Sequence, residues 1–320
     1  MPSPRHGSDQ AQTLRAINPP EARGMAVKAA TLPLSSGIAT SGIATGAMAD
    51  SGTAVYSITG GKGGVGKTAL TANLAYHLAL QGKKVLILDA DLGLANIDVM
   101  FGLAPAYNLS HFFTGDQDLT NILADGLLGI KILPAGSGIQ QITRLDSQQK
   151  IRLFDALDSL QLTFDFLLID TEAGISENVT YFNTAAQEII VMTTPDPTAI
   201  TDAYALMKLL STEYHEKHFN LVVNQVSKDG DALTVFKKLT MVASRYLDVS
   251  LDYLGSIPHD RQLIEAIRRQ RVVSELYPHA KSAIAFANLA ARLCLEPASQ
   301  DPKGGLQFFW KKLLSLGAGD

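Results

Sequence analysis

The chain has 320 residues, 46% of them hydrophobic, a formal net charge of -4 and a single cysteine. That is enough apolar material for one α/β domain of about 250 residues plus tails; it leaves no overall nucleic-acid footprint, so direct DNA binding is not expected, and it rules out a disulfide within the chain. No uninterrupted apolar run reaches the ~18 residues of a membrane span, and the N-terminus lacks the order of a secretion signal, so a cytoplasmic protein is expected.

In chain order, residues 1–17 contain Ser8-Asp9-Gln10-Ala11-Gln12-Thr13-Leu14-Arg15, where Ser8 or Asp9 can cap a short helix carrying Ala11 and Leu14 on one side. Alone such a helix is marginal; on a tether it reads as a partner-docking motif. Residues 18–53 are rich in Pro, Ala, Gly, Ser and Thr and repeat Ser36-Gly37-Ile38-Ala39-Thr40 as Ser41-Gly42-Ile43-Ala44-Thr45. Such small side chains cannot offset the entropy of ordering, and a flexible linker is expected. Over residues 54–296, strand-like runs at 55–59, 84–89, 130–134, 166–170, 189–193, 221–224 and 251–257 alternate with helical ones at 67–80, 147–160, 178–186, 199–214, 233–246 and 280–293. The alternation predicts an α/β fold, a mostly parallel twisted sheet with helices on both faces and a ligand beyond the carboxyl ends of the strands. Cys294 lies between Leu293 and Leu295 on a helical pattern, which suits a small apolar side chain.

Between the first strand and the first helix runs Gly60-Gly61-Lys62-Gly63-Gly64-Val65-Gly66-Lys67-Thr68-Ala69. Strand, glycine loop and helix in that order wrap backbone N–H groups around phosphate oxygens, with Lys67 reaching the β/γ-phosphates and the Thr68 hydroxyl facing Mg²⁺. The second strand runs out into Asp89-Ala90-Asp91, two carboxylates placed to orient a water and to hold Mg²⁺ through its water shell; an aspartate here can equally form a turn. The fourth strand ends in Asp170, a Walker B carboxylate, followed by Thr171-Glu172-Ala173-Gly174 as a phosphate-sensing switch. A bound nucleotide, ATP or ADP, and Mg²⁺ are therefore expected.

After Pro297, Pro302 and Gly304-Gly305, residues 297–320 end in an amphipathic stretch. At ~100° per residue, Leu306, Phe309, Trp310, Leu313, Leu314 and Leu316 share one face, opposite Gln307, Lys311, Lys312 and Ser315. Two readings stay open on pattern alone: a helix lying in a bilayer interface, and a terminal helix docked on the core.

The second lysine of the loop, Lys62, gives a Lys-Gly-Gly-x-Gly-Lys-Thr form that resembles the deviant Walker A motif of the MinD/ParA ATPases. The resemblance implies a P-loop NTPase fold and a homodimer closed by ATP, in which Lys62 reaches the partner's γ-phosphate, Lys67 acts in cis, Thr68, Asp89, Asp91 and Asp170 serve Mg²⁺ and hydrolysis, and Asn224, with Pro258 as a weaker candidate, meets the adenine. Within that family the residues Asp89 to Asp98, Ile200 to Leu206 and the N-terminal Asp9, Gln10, Ala11, Leu14 and Arg15 resemble the FlhG group of flagellar-number regulators, also called FleN or YlxH. That implies partners in the GTPase FlhF, through the N-terminal motif, and in the transcription activator FleQ, with the terminal helix targeting the inner face of the membrane at the cell pole. One departure stands out, Glu172, where the family carries a small residue or proline; a third acid beside the phosphates repels nucleotide unless it points away or coordinates metal, and slower hydrolysis is expected. The competing readings are a MinD-type division ATPase, a ParA-type DNA-partitioning ATPase, a metabolic P-loop kinase and an iron–sulfur reductase.

Overall fold

Apolar runs with no polar side to turn outward become central strands, and all seven expected strands form, the last of them, at 251–257, at the sheet edge. The computed structural model describes residues 52–91, 97–134, 147–159, 163–228, 230–295 and 306–316, all within the unit Ser51–Asp320. The elements are β1 (Ala54–Thr59), α1 (Lys67–Leu80), β2 (Val85–Ala90), α2 (Ile97–Met100), α3 (Leu109–Thr114), α4 (Leu119–Ile122), β3 (Ala124–Asp125), β4 (Lys131–Pro134), α5 (Ser147–Ser159), β5 (Phe166–Thr171), α6 (Glu177–Ala185), β6 (Glu188–Thr193), α7 (Pro197–Tyr214), β7 (His218–Val226), α8 (Asp231–Tyr246), β8 (Ser250–Pro258), α9 (Arg261–Arg268), α10 (Val273–Leu276), α11 (Lys281–Leu295) and α12 (Leu306–Leu316). The N-terminal motif with Asp9, Gln10, Ala11, Leu14 and Arg15, the tandem repeat and the switch residues 92–96 lie outside the described residues.

The strands form one sheet in the order β3-β4-β2-β5-β1-β6-β7-β8. The two-residue β3 runs antiparallel to β4 and the other pairs are parallel. Successive side chains leave a strand on opposite faces, so each strand feeds two cores. Leu168 of β5 packs with Leu74, Leu78 and Phe286 on the face covered by α1 and α11. Its neighbours Leu167 and Ile169 pack on the other face with Phe112, Phe182, Phe309 and Trp310.

The last two of those residues belong to α12, and they decide between the two readings of the terminal helix in this state. Phe309, Trp310, Leu313 and Leu314 are buried, against α6 with α5 and β1 beside it. Phe309 stacks on Phe182 with 6.5 Å between ring centroids. The Lys312 ammonium donates to the Thr184 carbonyl and lies 3.8 Å from Glu216. The apolar face is the one the periodicity picked out, but here it faces the protein's own core. Lys311 and Ser315 remain in solvent.

Elsewhere the sequence reading missed short elements. Helix α9 is not among the helical runs expected from the sequence, although Asp260 caps it through Gln262 N–H at 2.9 Å. Helix α7 starts two residues earlier than expected, because Asp196 caps it and Pro197 takes the first turn, where a missing N–H costs nothing.

Candidate active site

β1 delivers the glycine loop to the middle of the sheet, between β5 and β6. The ends of the loop are fixed by packing. A Cβ at Gly61 would stand 2.2 Å from the Asp202 carbonyl oxygen, and one at Gly66, already at φ 102°, would stand 2.3 Å from the Asn224 amide nitrogen. Gly63 and Gly64 have nothing within 4 Å of such an atom. The middle of the loop is thus open to a ligand, in front of the N-terminus of α1, which suits an anion. Val65 is buried beneath it and Ala69 sits in the first turn of α1.

Asn224 supports this loop from below. Its amide donates to the Val65 carbonyl at 2.7 Å and its carbonyl accepts from Gln225 N–H at 2.7 Å. Gln225, in the left-handed region at φ 58°, adds a long bond of 3.4 Å to the Gly64 carbonyl. Pro258 lies at the same rim, opposite Val226 in the register of β7 and β8. The brace through Asn224 and Gln225 was not legible in sequence, since it joins residues 159 apart.

The two lysines of the loop have opposite surroundings. Lys67 is buried; burial lowers its pKa, against the charges of Asp170, Asp91 and Glu172, which raise it. Lys62 is 41% exposed and points away, to Asp196 at 3.2 Å and to the Thr198 hydroxyl at the start of α7. Neither of these partners was foreseen. The Asp196-Pro197 pair was the available signal, since it marks a helix start that faces the loop.

The carboxylates separate into roles as well. Asp89 and Asp170 stand opposite each other on β2 and β5. Both are buried. Desolvation, with the neighbouring Asp170 charge second, pushes Asp89 up to about 8, while desolvation raises Asp170 to about 7 against hydrogen bonds from Thr68 and Thr71 and the charge of Lys67. Asp89 accepts from the N–H groups of Asp91 at 3.2 Å and Ile97 at 3.3 Å. It therefore closes the first switch from both ends, the turn-forming task that the sequence left open. One oxygen of Asp170 is buried and has no partner in the protein.

That orphaned oxygen, next to the Thr68 hydroxyl, fits a divalent cation. Among the described residues no three acids, histidines or cysteines converge into a cage; Mg²⁺ is usually held by one or two protein oxygens and keeps several waters. Thr68 and Asp170 would hold it, with Asp91 at the edge of the site. A cation there would supply the missing partner and draw Asp170 back to its charged form.

Without it, the buried pair costs stability, and the sign can be checked. The unfolded chain releases the Asp89 proton near pH 4 and the folded chain near pH 8, so stability falls as pH rises between those values. Asp89→Asn is accordingly expected to raise the melting temperature of the nucleotide-free protein, with a gain that grows between pH 5 and pH 8 to on the order of 2 kcal/mol. A gain independent of pH, measured by thermal unfolding, would contradict this account.

The second switch is tied to the loop. Gly174 N–H donates to the Gly60 carbonyl at 3.1 Å, and the Thr171 hydroxyl to the Ile58 carbonyl at 3.0 Å. The Glu172 carboxylate accepts from the Ser176 hydroxyl, so it points along the switch instead of across the phosphate cradle.

A glycine cradle at a helix N-terminus, a buried lysine, a threonine and a Walker B aspartate define a P-loop nucleotide hydrolase, and the exposed second lysine marks the deviant form. The family model described as ParA, NUBPL iron-transfer P-loop NTPase, matches residues 53–294. The chain is 41% identical over 260 residues to the antiactivator FleN of Pseudomonas aeruginosa, covering 81% of this chain and 93% of that one. It is 34% identical over 266 residues to the flagellum site-determining protein YlxH of Helicobacter pylori, covering 82% and 90%. The septum site-determining protein MinD of Pyrococcus horikoshii, solved with Mg-ADP, has the same fold at a TM-score of 0.60 and 27% identity, covering 75% of this chain and 96% of that one. The chain belongs to the MinD/ParA family of P-loop ATPases, in the group that includes FleN and YlxH. The iron transfer in the family description does not suit its donor set, since Cys294 is the only thiol.

Proposed function

We propose that this ATPase is a dimerising switch that sets the number and placement of flagella, cycling between the cytoplasm and the membrane. The observation that carries the reading is the division of labour between the two lysines. Lys67 faces inward, where a phosphate held by its own loop would lie, while Lys62 faces outward and is held by the surface pair Asp196 and Thr198. A cation so placed serves a second subunit, and reaches a partner's γ-phosphate as an arginine finger does.

In this reading ATP is the substrate that joins two protomers; Mg²⁺, when bound, offsets charge on its phosphates. Thr68 and Asp170 would hold that cation, Asp91 would orient the attacking water, Asp89 would keep the first switch shaped for it, and Asn224 with Pro258 would border the base. Closure of the dimer frees α12, whose residues Leu306, Phe309, Trp310, Leu313, Leu314 and Leu316 then enter the bilayer surface. One such helix binds weakly; two on one dimer gain by effective concentration. Among the described residues no helix is long and apolar enough to cross a membrane, which accords with attachment through a surface helix. The N-terminal motif would engage FlhF, and FleQ would be the transcriptional partner. The likeness to FleN and YlxH supports the flagellar output.

Liposome flotation of the full chain tests the cycle. Binding is expected with ATP, and not with ADP or with Lys62→Ala; binding that ignores nucleotide overturns the reading. Loss of FlhF capture on deleting residues 1–16 tests the docking motif separately.

A further inference from the structure

A continuous physical link joins the phosphate end of the site to the groove that holds α12. The second switch is bonded to the glycine loop through Gly174 and Gly60. Within it, Glu172 lies close enough to Lys67 for its charge to act on that ammonium. Its carboxylate accepts from the Ser176 hydroxyl. Ser176 is also the N-cap of α6, where its oxygen accepts from Val179 N–H at a long 3.4 Å. Helix α6 is then one rigid piece of nine residues, about 13 Å long. Its last turn carries Phe182, stacked on Phe309, and Thr184, whose carbonyl accepts from Lys312.

We infer that Glu172 is a positioning residue that reports the phosphate site to the terminal helix, by pulling on the cap of α6 through Ser176. The inference rests on the reading that nucleotide controls the release of α12. The serine hydroxyl donates its proton to Glu172 and accepts Val179 N–H on its oxygen, so the two bonds compete for the position of that oxygen and not for its proton. While Glu172 holds the hydroxyl, its cap bond to α6 is stretched. A γ-phosphate arriving beside Lys67 brings like charge toward Glu172 and drives the carboxylate off; Ser176 then caps α6 fully, and the shift of the first turn passes along the helix to Phe182 and Thr184. No covalent step is involved. A small residue at position 172 has no charge to repel and no acceptor for Ser176, so the coupling requires the acid itself.

Trp310 is the only tryptophan and is fully buried under α6 in the docked state, so its emission reports docking directly. Wild-type full chain, titrated with a non-hydrolysable ATP analogue and Mg²⁺, is expected to shift to longer wavelength. Glu172→Gln, which keeps shape but not charge, and Ser176→Ala are each expected to bind the analogue at least as tightly as wild type while losing at least half of that shift. The double variant is expected to lose no more than either single one, because both break one link. A full shift in the two single variants overturns the inference and leaves nucleotide-controlled release standing. Losses that multiply in the double variant, or loss of analogue binding in either single one, also overturn it. A wild type that binds the analogue without any shift overturns both the link and the reading beneath it.

Discussion

Lys62→Ala is expected to bind ATP almost as wild type does and to hydrolyse it two to three orders of magnitude more slowly, the usual effect of removing a transition-state donor. The reason lies in where the two lysines sit. Lys67 is buried at the start of α1 among Asp170, Asp91 and Glu172, the placement the proposed reading gives to the phosphate's own cation. Lys62 is half-exposed and, among the described residues, holds Asp196 and Thr198 at the start of another element. A lysine acting within its own subunit and one acting across a dimer give different results on mixing. Lys62→Ala has an intact Asp91, and Asp91→Ala has an intact Lys62. If the lysine acts across the interface, mixing these two inactive variants restores turnover to about a quarter of wild type, since half the dimers are mixed and one of their two sites is complete. No recovery, with mixed dimers demonstrated, would mean that Lys62 works in cis. Asp196→Ala removes the tether without touching the phosphate cradle and is expected to leave turnover at or above wild type.

The second large effect concerns α12. Phe182→Ala, on the groove side, removes a buried ring and the stack on Phe309, a loss of about 3–5 kcal/mol. The docked helix has little margin. The indole N–H of Trp310 and the hydroxyl of Thr184 are both buried without a partner, and an unmet buried donor costs about 1–3 kcal/mol. Undocking satisfies both with water. The variant is thus expected to release the helix without nucleotide, with Trp310 emission red-shifted and liposome binding independent of ATP. Leu313→Glu, on the helix side, also undocks, because a lone carboxylate cannot stay in that groove. It is expected to abolish liposome binding, because in the proposed cycle the docked face is also the face that enters the membrane. Equal behaviour of the two variants on liposomes would separate the docking face from the membrane face and break this account.

The layout of the candidate site was legible because its signals are local. The run from Gly60 to Thr68 fixes strand, turn and helix within a dozen residues, and Asp89 and Asp170 end apolar runs that have nowhere to go but the sheet centre. What was missed joins distant parts of the chain. The amide of Asn224 under Val65, and Asp196 and Thr198 around Lys62, became visible only once β6 was laid beside β1 and β7 beside β6. Asp89 was read for metal and water, whereas both of its oxygens accept backbone N–H groups that bracket the first switch.

The terminal helix shows where the boundary falls. Periodicity by itself determined that residues 306–316 form a helix with one apolar face, because side-chain spacing at 3.6 residues per turn is a property of the local chain. It could not determine what that face meets, since bilayer and protein interior offer an apolar residue much the same surroundings. The choice depended on whether the sheet left a matching groove, and Phe112, Leu167, Ile169 and Phe182, brought together from three separate elements, form one that takes Phe309 and Trp310.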